Sequence, residues 1–495
     1  MRLLAGAAAL LAVSTLANAQ DASTVIANAQ SALGNGVQSI TYSGAARDVA
    51  FQQCGANATA LICYGTHDPM RPIINYVRVI DLAAPTSRHT GSTMNIGPGG
   101  STAINQGTFF QQVTPQQADV SQPWNQSLEL YITPWGFLKG AAANNATVSR
   151  RTVDGTAYTV LSWSPTVKAP SGASYQINAF VNAENLIDRV ETWFGENIMG
   201  DMHIVAEYSG WRDYGGAKVP TRIVQTRGGW PFFEVDVTAA RANPSDLATL
   251  APQPPPPPGG PPPGPPPGQP AALTVNVEQL GAGLYRYTTG QGSYDALIVE
   301  FDDHLLMLEA GQSQARAQAY VDQIKQQFPG KRIRYVMNTH AHSDHTGGLP
   351  VLVAEGASII THENNREFFE RALNTPRTLL NDRLAQSPQR ARVEGVSDKR
   401  VFTDGSQTVE FYHVFPAPHS NGLLVAYFPQ EKILFQGDFS VNRDQAGNIQ
   451  PANDHVKALV PALEKLGLDY ERYINTHASA APQTKADVMA AIAAR

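Results

Sequence analysis

Cysteine is almost absent from this chain of 495 residues, which holds only Cys54 and Cys63. Their spacing is not Cys-x-x-Cys, which argues against a redox-active pair. No cysteine follows Cys63, so nothing in the remaining sequence can offer a thiolate to a metal. Runs of Lys or Arg are also missing, and the formal net charge is −6, so the chain lacks the basic footprint of a nucleic-acid-binding protein. No apolar stretch is long enough for a convincing membrane span. A hydrophobic content of 42% and a charged content of 16% are those of ordinary globular protein, and the length favours two folded units.

Residues 1–19 have the layout of a secretory signal. Arg2 supplies the positive end, Leu3 to Leu16 a short apolar run, and Ala17-Asn18-Ala19 a small-x-small cleavage site before Gln20. The mature chain is therefore expected to be exported, either secreted or periplasmic. In an oxidising compartment Cys54 and Cys63, separated by a plausible turn, are expected to form a disulfide across a hairpin. Two reduced, packed thiols are the alternative.

Residues 20–249 read as a mostly antiparallel β domain after a short helix over Ala22–Leu33. Strands are predicted over Ile74–Ile80, Tyr158–Ser164, Tyr175–Asn182, Leu186–Thr192, His203–Ser209, Lys218–Thr226 and Phe232–Ala239. Turn chemistry such as Asp154-Gly155 and Gly215-Gly216 punctuates them. The aromatics Trp124, Tyr131, Trp135, Phe137, Trp163, Trp193, Trp211 and Trp230 are expected to be core rather than a binding groove. The rhythm from Leu186 through Lys218-Val219-Pro220 to Val237 resembles the curved half-barrel of outer-membrane lipoprotein carriers. That resemblance implies a concave face for an apolar, lipid-like ligand. A β domain that only supports or positions the second half fits the same residues.

Within residues 250–272, the run from Pro252 to Pro270 is almost entirely proline and glycine; proline fixes φ and removes backbone donors, so the stretch marks a linker. As polyproline II it would reach about 50–60 Å. From 273 to 495 the pattern changes to alternating strands and helices. Among them are a helix over Ser313–Phe328 with Ser313 as N-cap, and polar helices over Asn364–Leu373 and Pro376–Leu384.

One stretch organises this half: Thr339-His340-Ala341-His342-Ser343-Asp344-His345-Thr346-Gly347-Gly348. Imidazole nitrogen and carboxylate oxygen are donors that zinc and similar divalent ions prefer. The stretch follows an apolar strand from Ile333, which places the donors on a strand-end loop. Three more donors stand at other strand ends: His419 in Pro416-Ala-Pro-His419, Asp438 after Ile433-Leu-Phe-Gln436-Gly437, and His477 after Tyr473-Ile-Asn-Thr. Glu309 ends a strand before the metal loop, where it is either a partner for a ligand or a surface acid. His304, His362, His413 and His455 fit no ligand pattern and are read as packing or capping residues.

His-x-His-x-Asp-His, then a histidine, an aspartate after glycine, and a last histidine resemble the metallo-β-lactamase superfamily. The resemblance covers residues 273–495 and implies an α+β chain whose C-terminal half is a four-layer αβ/βα sandwich. It further implies two divalent metal ions on the sandwich edge. His340, His342 and His419 would hold the first, Asp344, His345 and His477 the second, and Asp438 would bridge them. Zinc is the default, with iron and manganese compatible with the same ligands. The implied chemistry is hydrolysis by a metal-bound hydroxide, with Asp344 moving a proton.

Departures narrow the choice. The absent cysteine removes lactamase types with a cysteine ligand. His342 stands where flavodiiron oxidoreductases have glutamate. Only Ala478 to Arg495 follows the last ligand, too little for the helical domain of glyoxalase II enzymes. An exported hydrolase of a small-molecule ester, lactone, thioester or amide is expected. A β-lactamase is the alternative, and an apolar-ligand-binding protein with a vestigial metal domain is the second.

Overall fold

The computed structural model describes residues 21–49, 70–96, 102–105, 123–250, 273–289, 294–417, 419–444, 446–477 and 483–494. The expected signal, Cys54 with Cys63, and the proline-rich stretch from 251 onward lie outside the described residues. Among the described residues no helix is long and apolar enough to cross a membrane.

The first half is built on an 11-stranded sheet in which every neighbouring pair is antiparallel. Turn chemistry drives this meander. The strands Thr147–Val153 and Thr156–Trp163 are joined by Asp154 at φ 49° and Gly155 at φ 81°. Positive φ at both central positions matches the right-handed twist of paired strands.

Three longer helices, Ala22–Leu33, Pro123–Tyr131 and Pro134–Ala143, and the single turn Leu247–Leu250 accompany the sheet among the described residues. The second and third were not foreseen. The second puts Pro123 at its start, and the third follows Thr133 as N-cap with Pro134 in the first turn, a helix-start signal that the aromatic content masked. Trp124, Trp135, Phe137 and Trp163 are at most 4% exposed and join one hydrophobic cluster, so these aromatics are core. Trp193, Trp211 and Trp230 are packed against that cluster but only partly buried. Glu129 of helix Pro123–Tyr131 lies between the guanidinium groups of buried Arg78 and partly buried Arg227.

The second half is a sandwich of two sheets. A seven-stranded sheet runs from Asn276–Gly281 to Arg392–Val396, and a six-stranded sheet from Lys399–Thr403 to Gln483–Thr484. Leu297, Leu306, Leu308, Met337 and Ile360 of the first meet Phe411, Leu424, Phe428, Phe435 and Ile474 of the second in a shared core. Helix Gln314–Gln327 covers the outside of one sheet, and helices Asp454–Leu466 and Lys485–Ala493 cover the other. Strands buried on both faces read as continuous apolar runs, which is why Leu305–Leu308 and Ile433–Gln436 are apolar or nearly so throughout. The chain is thus α+β, with an antiparallel β domain ahead of an αβ/βα sandwich.

Ser313 caps helix Gln314–Gln327, as the sequence predicts. The helix predicted over Pro376–Leu384 is not formed. Residues 376–382 are irregular, and only Arg383–Gln386 is helical, capped by Asp382. The reason is tertiary. The Asp201 carboxylate accepts from the Thr378 and Leu379 amides at 2.8 and 2.9 Å, which holds those residues in a turn against the β domain.

Candidate metal centre

Strand Ile333–Met337 ends in Asn338 and Thr339, and the loop turns into the short helix Ser343–Thr346. Strands Ile433–Gln436 and Arg472–Asn475 run parallel, so Asp438 and His477 leave the same sheet edge. His419 arrives from the loop between Thr408–His413 and Leu424–Phe428. The metal loop, Asp438 and His477 each follow a buried apolar strand that ends at one rim, whereas His419 is carried there by a loop after a half-buried strand.

Two groups result. His340, His342, His419 and Asp438 form one; Asp344, His345, Asp438 and His477 form the other. Within each, one donor atom per residue lies within 4.8 Å of all the rest. All seven predicted ligand residues are therefore brought together, with Asp438 common to both groups.

Distances inside the groups fit cations. The Nε2 atoms of His419 and His340 are 3.1 Å apart, and those of His345 and His477 are 3.2 Å apart. Donors about 2.0–2.1 Å from a tetrahedral ion sit roughly 3.3 Å from each other. Asp438 Oδ2 lies 2.9 Å from His340 Nε2 and 2.6 Å from His419 Nε2, while Oδ1 lies 3.0 Å from His345 Nε2 and also contacts His477. His342 Nε2 is buried and has no hydrogen-bond partner among the described residues. A buried ring nitrogen without a proton partner is costly unless something else occupies its lone pair. The donor set fits two divalent ions.

Supporting contacts orient the rings. His345 and Glu309 are both fully buried, and His345 Nδ1 donates to Glu309 Oε2 at 2.8 Å, leaving Nε2 to face the cluster. Glu309 Oε1 accepts from the Thr339 amide at 2.7 Å, so one carboxylate braces both ends of the loop. Of the two roles open to Glu309 in the sequence, the structure shows the inner one. Gly437 leaves room at the rim, since a Cβ there would stand 3.0 Å from Thr339 Oγ1 and 3.2 Å from His340 Cε1.

Tyr294 was not anticipated. Its hydroxyl donates to Asp344 Oδ2 at 3.2 Å, and its ring centroid lies 4.6 Å from that of His477. It sits just before strand Ala296–Glu300, and no sequence pattern singles it out from other strand-flanking tyrosines. Burial and the Asp344 carboxylate push the Tyr294 hydroxyl up to about 12, so it remains a donor at neutral pH.

Burial holds His340 down to about 4. Burial also opposes charge on His345, but Asp438 and Glu309 outweigh it and raise the ring well above its ordinary value. For His477, hydrogen bonds to Asp344 and Asp438 overcome burial and push it up to about 9.

Of the histidines set aside in the sequence, His362 and His413 keep other roles, as does His203 of the β domain. His362 Nδ1 caps helix Glu363–Ala372, and its Nε2 donates to the Ser397 carbonyl. His413 Nε2 donates to the Asn421 carbonyl. His203 pairs with Glu191 and stacks on Trp193.

The family model of the metallo-β-lactamase superfamily matches residues 289–477. The chain carries a metallo-β-lactamase superfamily domain. A curated relative, the 2,4-dinitroanisole O-demethylase subunit alpha of Nocardioides sp. (strain JS1661), is 27% identical over 197 residues, which cover 39% of this chain and 54% of the relative. The chain thus spans about half the length of that relative. Among solved structures, a metallo-β-lactamase from Pontibacter korlensis is 18% identical with a TM-score of 0.32, covering 44% of this chain and 98% of that one. The DIM-1 metallo-β-lactamase exposed to ceftazidime is 16% identical with a TM-score of 0.32, covering 44% and 95%. The match to the metallo-β-lactamase superfamily ends at His477, the last predicted ligand.

Proposed function

We propose that the chain is an exported hydrolase that uses two divalent ions, zinc by default, to cleave an ester, lactone, thioester or amide. The observation that carries the reading is the pair of four-residue donor groups sharing Asp438. His340, His342 and His419 would hold one ion, Asp344, His345 and His477 the other. Bound ions supply Lewis acidity and lower the pKa of water towards neutrality.

The chain's own groups do the rest. Glu309 fixes the His345 tautomer and gives up no solvent access. Asp344, at 22% side-chain exposure, is the carboxylate placed to take and release a proton at Oδ2. Tyr294 donates to that same oxygen and limits how far Asp344 can swing.

A second reading is favoured by the name of the curated relative: removal of an O-methyl group from an aryl ether. Both readings need the same donor set and differ in the bond attacked. The test is one panel on purified protein: esters, lactones, thioesters, β-lactams and a nitroaryl methyl ether, with metal content measured alongside. About two metal equivalents per chain are expected, with turnover of one class and loss of both turnover and one equivalent in His342→Ala. Metal-free protein, or turnover undiminished by His342→Ala, would overturn the catalytic reading.

A further inference from the structure

The β domain reaches into the metal loop through a single turn. Strands Ile187–Glu196 and Gly200–Ser209 form a hairpin, and Glu196 Oε2 accepts from the Ile198 and Met199 amides at 2.8 and 2.7 Å, fixing the turn's shape. Asn197 stands in that turn. Its Nδ2 donates to the Gly347 carbonyl at 2.8 Å. Its Oδ1 accepts from Gln314 Nε2 at 2.5 Å, and its backbone carbonyl accepts from Arg377 Nη2 at 2.7 Å.

Gly347 closes the short helix that carries Asp344 and His345. It has little freedom of its own, because a Cβ there would collide with the Gln312 carbonyl, and one on Gly348 with the Ala310 carbonyl. The carbonyl held by Asn197 is therefore three residues from Asp344 and two from His345, in a segment wedged on its other side. Asn197 lies 150 residues away in sequence. Other cross-domain contacts lie elsewhere: Arg371 covers the Trp230 ring at 4.2 Å and donates to the Gly228 carbonyl at 2.8 Å.

We propose that Asn197 is a positioning residue of the metal centre, through which the β domain sets the placement of Asp344 and His345. The inference rests on the metal reading above and gives the β domain a part in it. Side chains one step beyond the ligands typically change metal affinity about 10–100-fold. Acting only through a backbone carbonyl, Asn197 is expected to contribute less than such a partner, about 5–10-fold.

The test uses the full chain. Metal-free wild type, Asn197→Ala, Asn197→Asp and Arg371→Ala are titrated with Zn²⁺ against a chromophoric chelator, and separately with Co²⁺ to follow its absorption bands. Asn197→Ala and Asn197→Asp should weaken one of the two equivalents about 5–10-fold and alter its Co²⁺ spectrum, leaving the other within about twofold. The Asp variant keeps the acceptor for Gln314 and loses the donor to Gly347, whereas the Ala variant loses both without adding a charge. Arg371→Ala should leave both equivalents unchanged.

Hydrogen exchange on the metal-free proteins is the second readout. Amides of residues 343–348 should exchange faster in both Asn197 variants and not in Arg371→Ala. Unchanged binding and exchange in the Asn197 variants would overturn the proposal, and so would equal loss in Arg371→Ala. Wild-type protein that takes up no Zn²⁺ would instead defeat the metal reading, and the exchange comparison would still decide whether Asn197 holds the loop.

Discussion

Replacing Glu309 by Gln should loosen one metal site and spare the other. In the wild type the carboxylate accepts two hydrogen bonds, from His345 Nδ1 at 2.8 Å and from the Thr339 amide at 2.7 Å. An amide keeps one acceptor oxygen and turns the other position into a donor. Whichever way the substituted side chain turned, one N–H of the protein would face an N–H of that amide in a site with no water access. Losing a hydrogen bond to a buried charged group costs about 1.5–3 kcal/mol. At 1.36 kcal/mol per tenfold, that is about 10–150-fold in affinity, in line with the usual effect of such partners. Chelator competition on the metal-free full chain measures it. The equivalent assigned to His345, Asp344 and His477 should weaken by that factor, and that of His340, His342 and His419 by less than about threefold. Affinities for both equivalents within twofold of wild type would refute the argument that Glu309 orients His345.

Two further predictions concern stability. His362 is kept neutral by its contacts, since Nδ1 accepts from the Asn364 amide while Nε2 donates to Ser397, and burial then the neighbouring His413 lower it to about 4. Its folded pKa lies below the unfolded value of 6.5, so protons favour the unfolded chain; stability is full above about pH 6.5 and is lost as pH falls through 4. After a discount for screening, the loss at pH 5 is about 1 kcal/mol, and His362→Asn, which keeps a cap without a titrating ring, should remove that loss and so flatten the melting temperature against pH. Trp124 is fully buried, stacked on Tyr131 and Tyr175 with its indole N–H on Thr192 Oγ1, so Trp124→Ala should cost about 3–5 kcal/mol in denaturant unfolding of the β domain; a loss under about 1 kcal/mol would show that its pocket collapses freely.

The site was legible in the sequence where chemistry and periodicity coincide. His340 to His345 follow the buried strand Ile333–Met337, and Asp438 follows Ile433–Gln436, whose bounds the apolar run marks without help. Ser313 announces its helix in the same way. Strands Arg392–Val396 and Lys399–Thr403 escaped notice because both are polar for their length and only partly buried, so no clean alternation survives. Tyr294 and Asn197 escaped for another reason. Each acts through one polar group on a distant partner, and a contact spanning 50 or 150 residues leaves no local pattern. Propensity also misled over residues 376–382, where Asp201 imposes a shape that the segment's own residues do not ask for.

The donors of the centre are divided between the two sheets. His340, His342, Asp344 and His345 belong to the seven-stranded side, and His419, Asp438 and His477 to the six-stranded side. Neither side holds a full group, so the chain offers high affinity to an ion only after both layers have docked. Ion uptake would therefore come late in assembly and favour finished molecules over half-built ones. Because binding to the native state alone adds RT ln(1 + [L]/Kd), an ion at a thousandfold its Kd adds about 4 kcal/mol. With ions bound, the rim would act as a removable clasp, and chelation would ease the two layers apart before it touched the core of either.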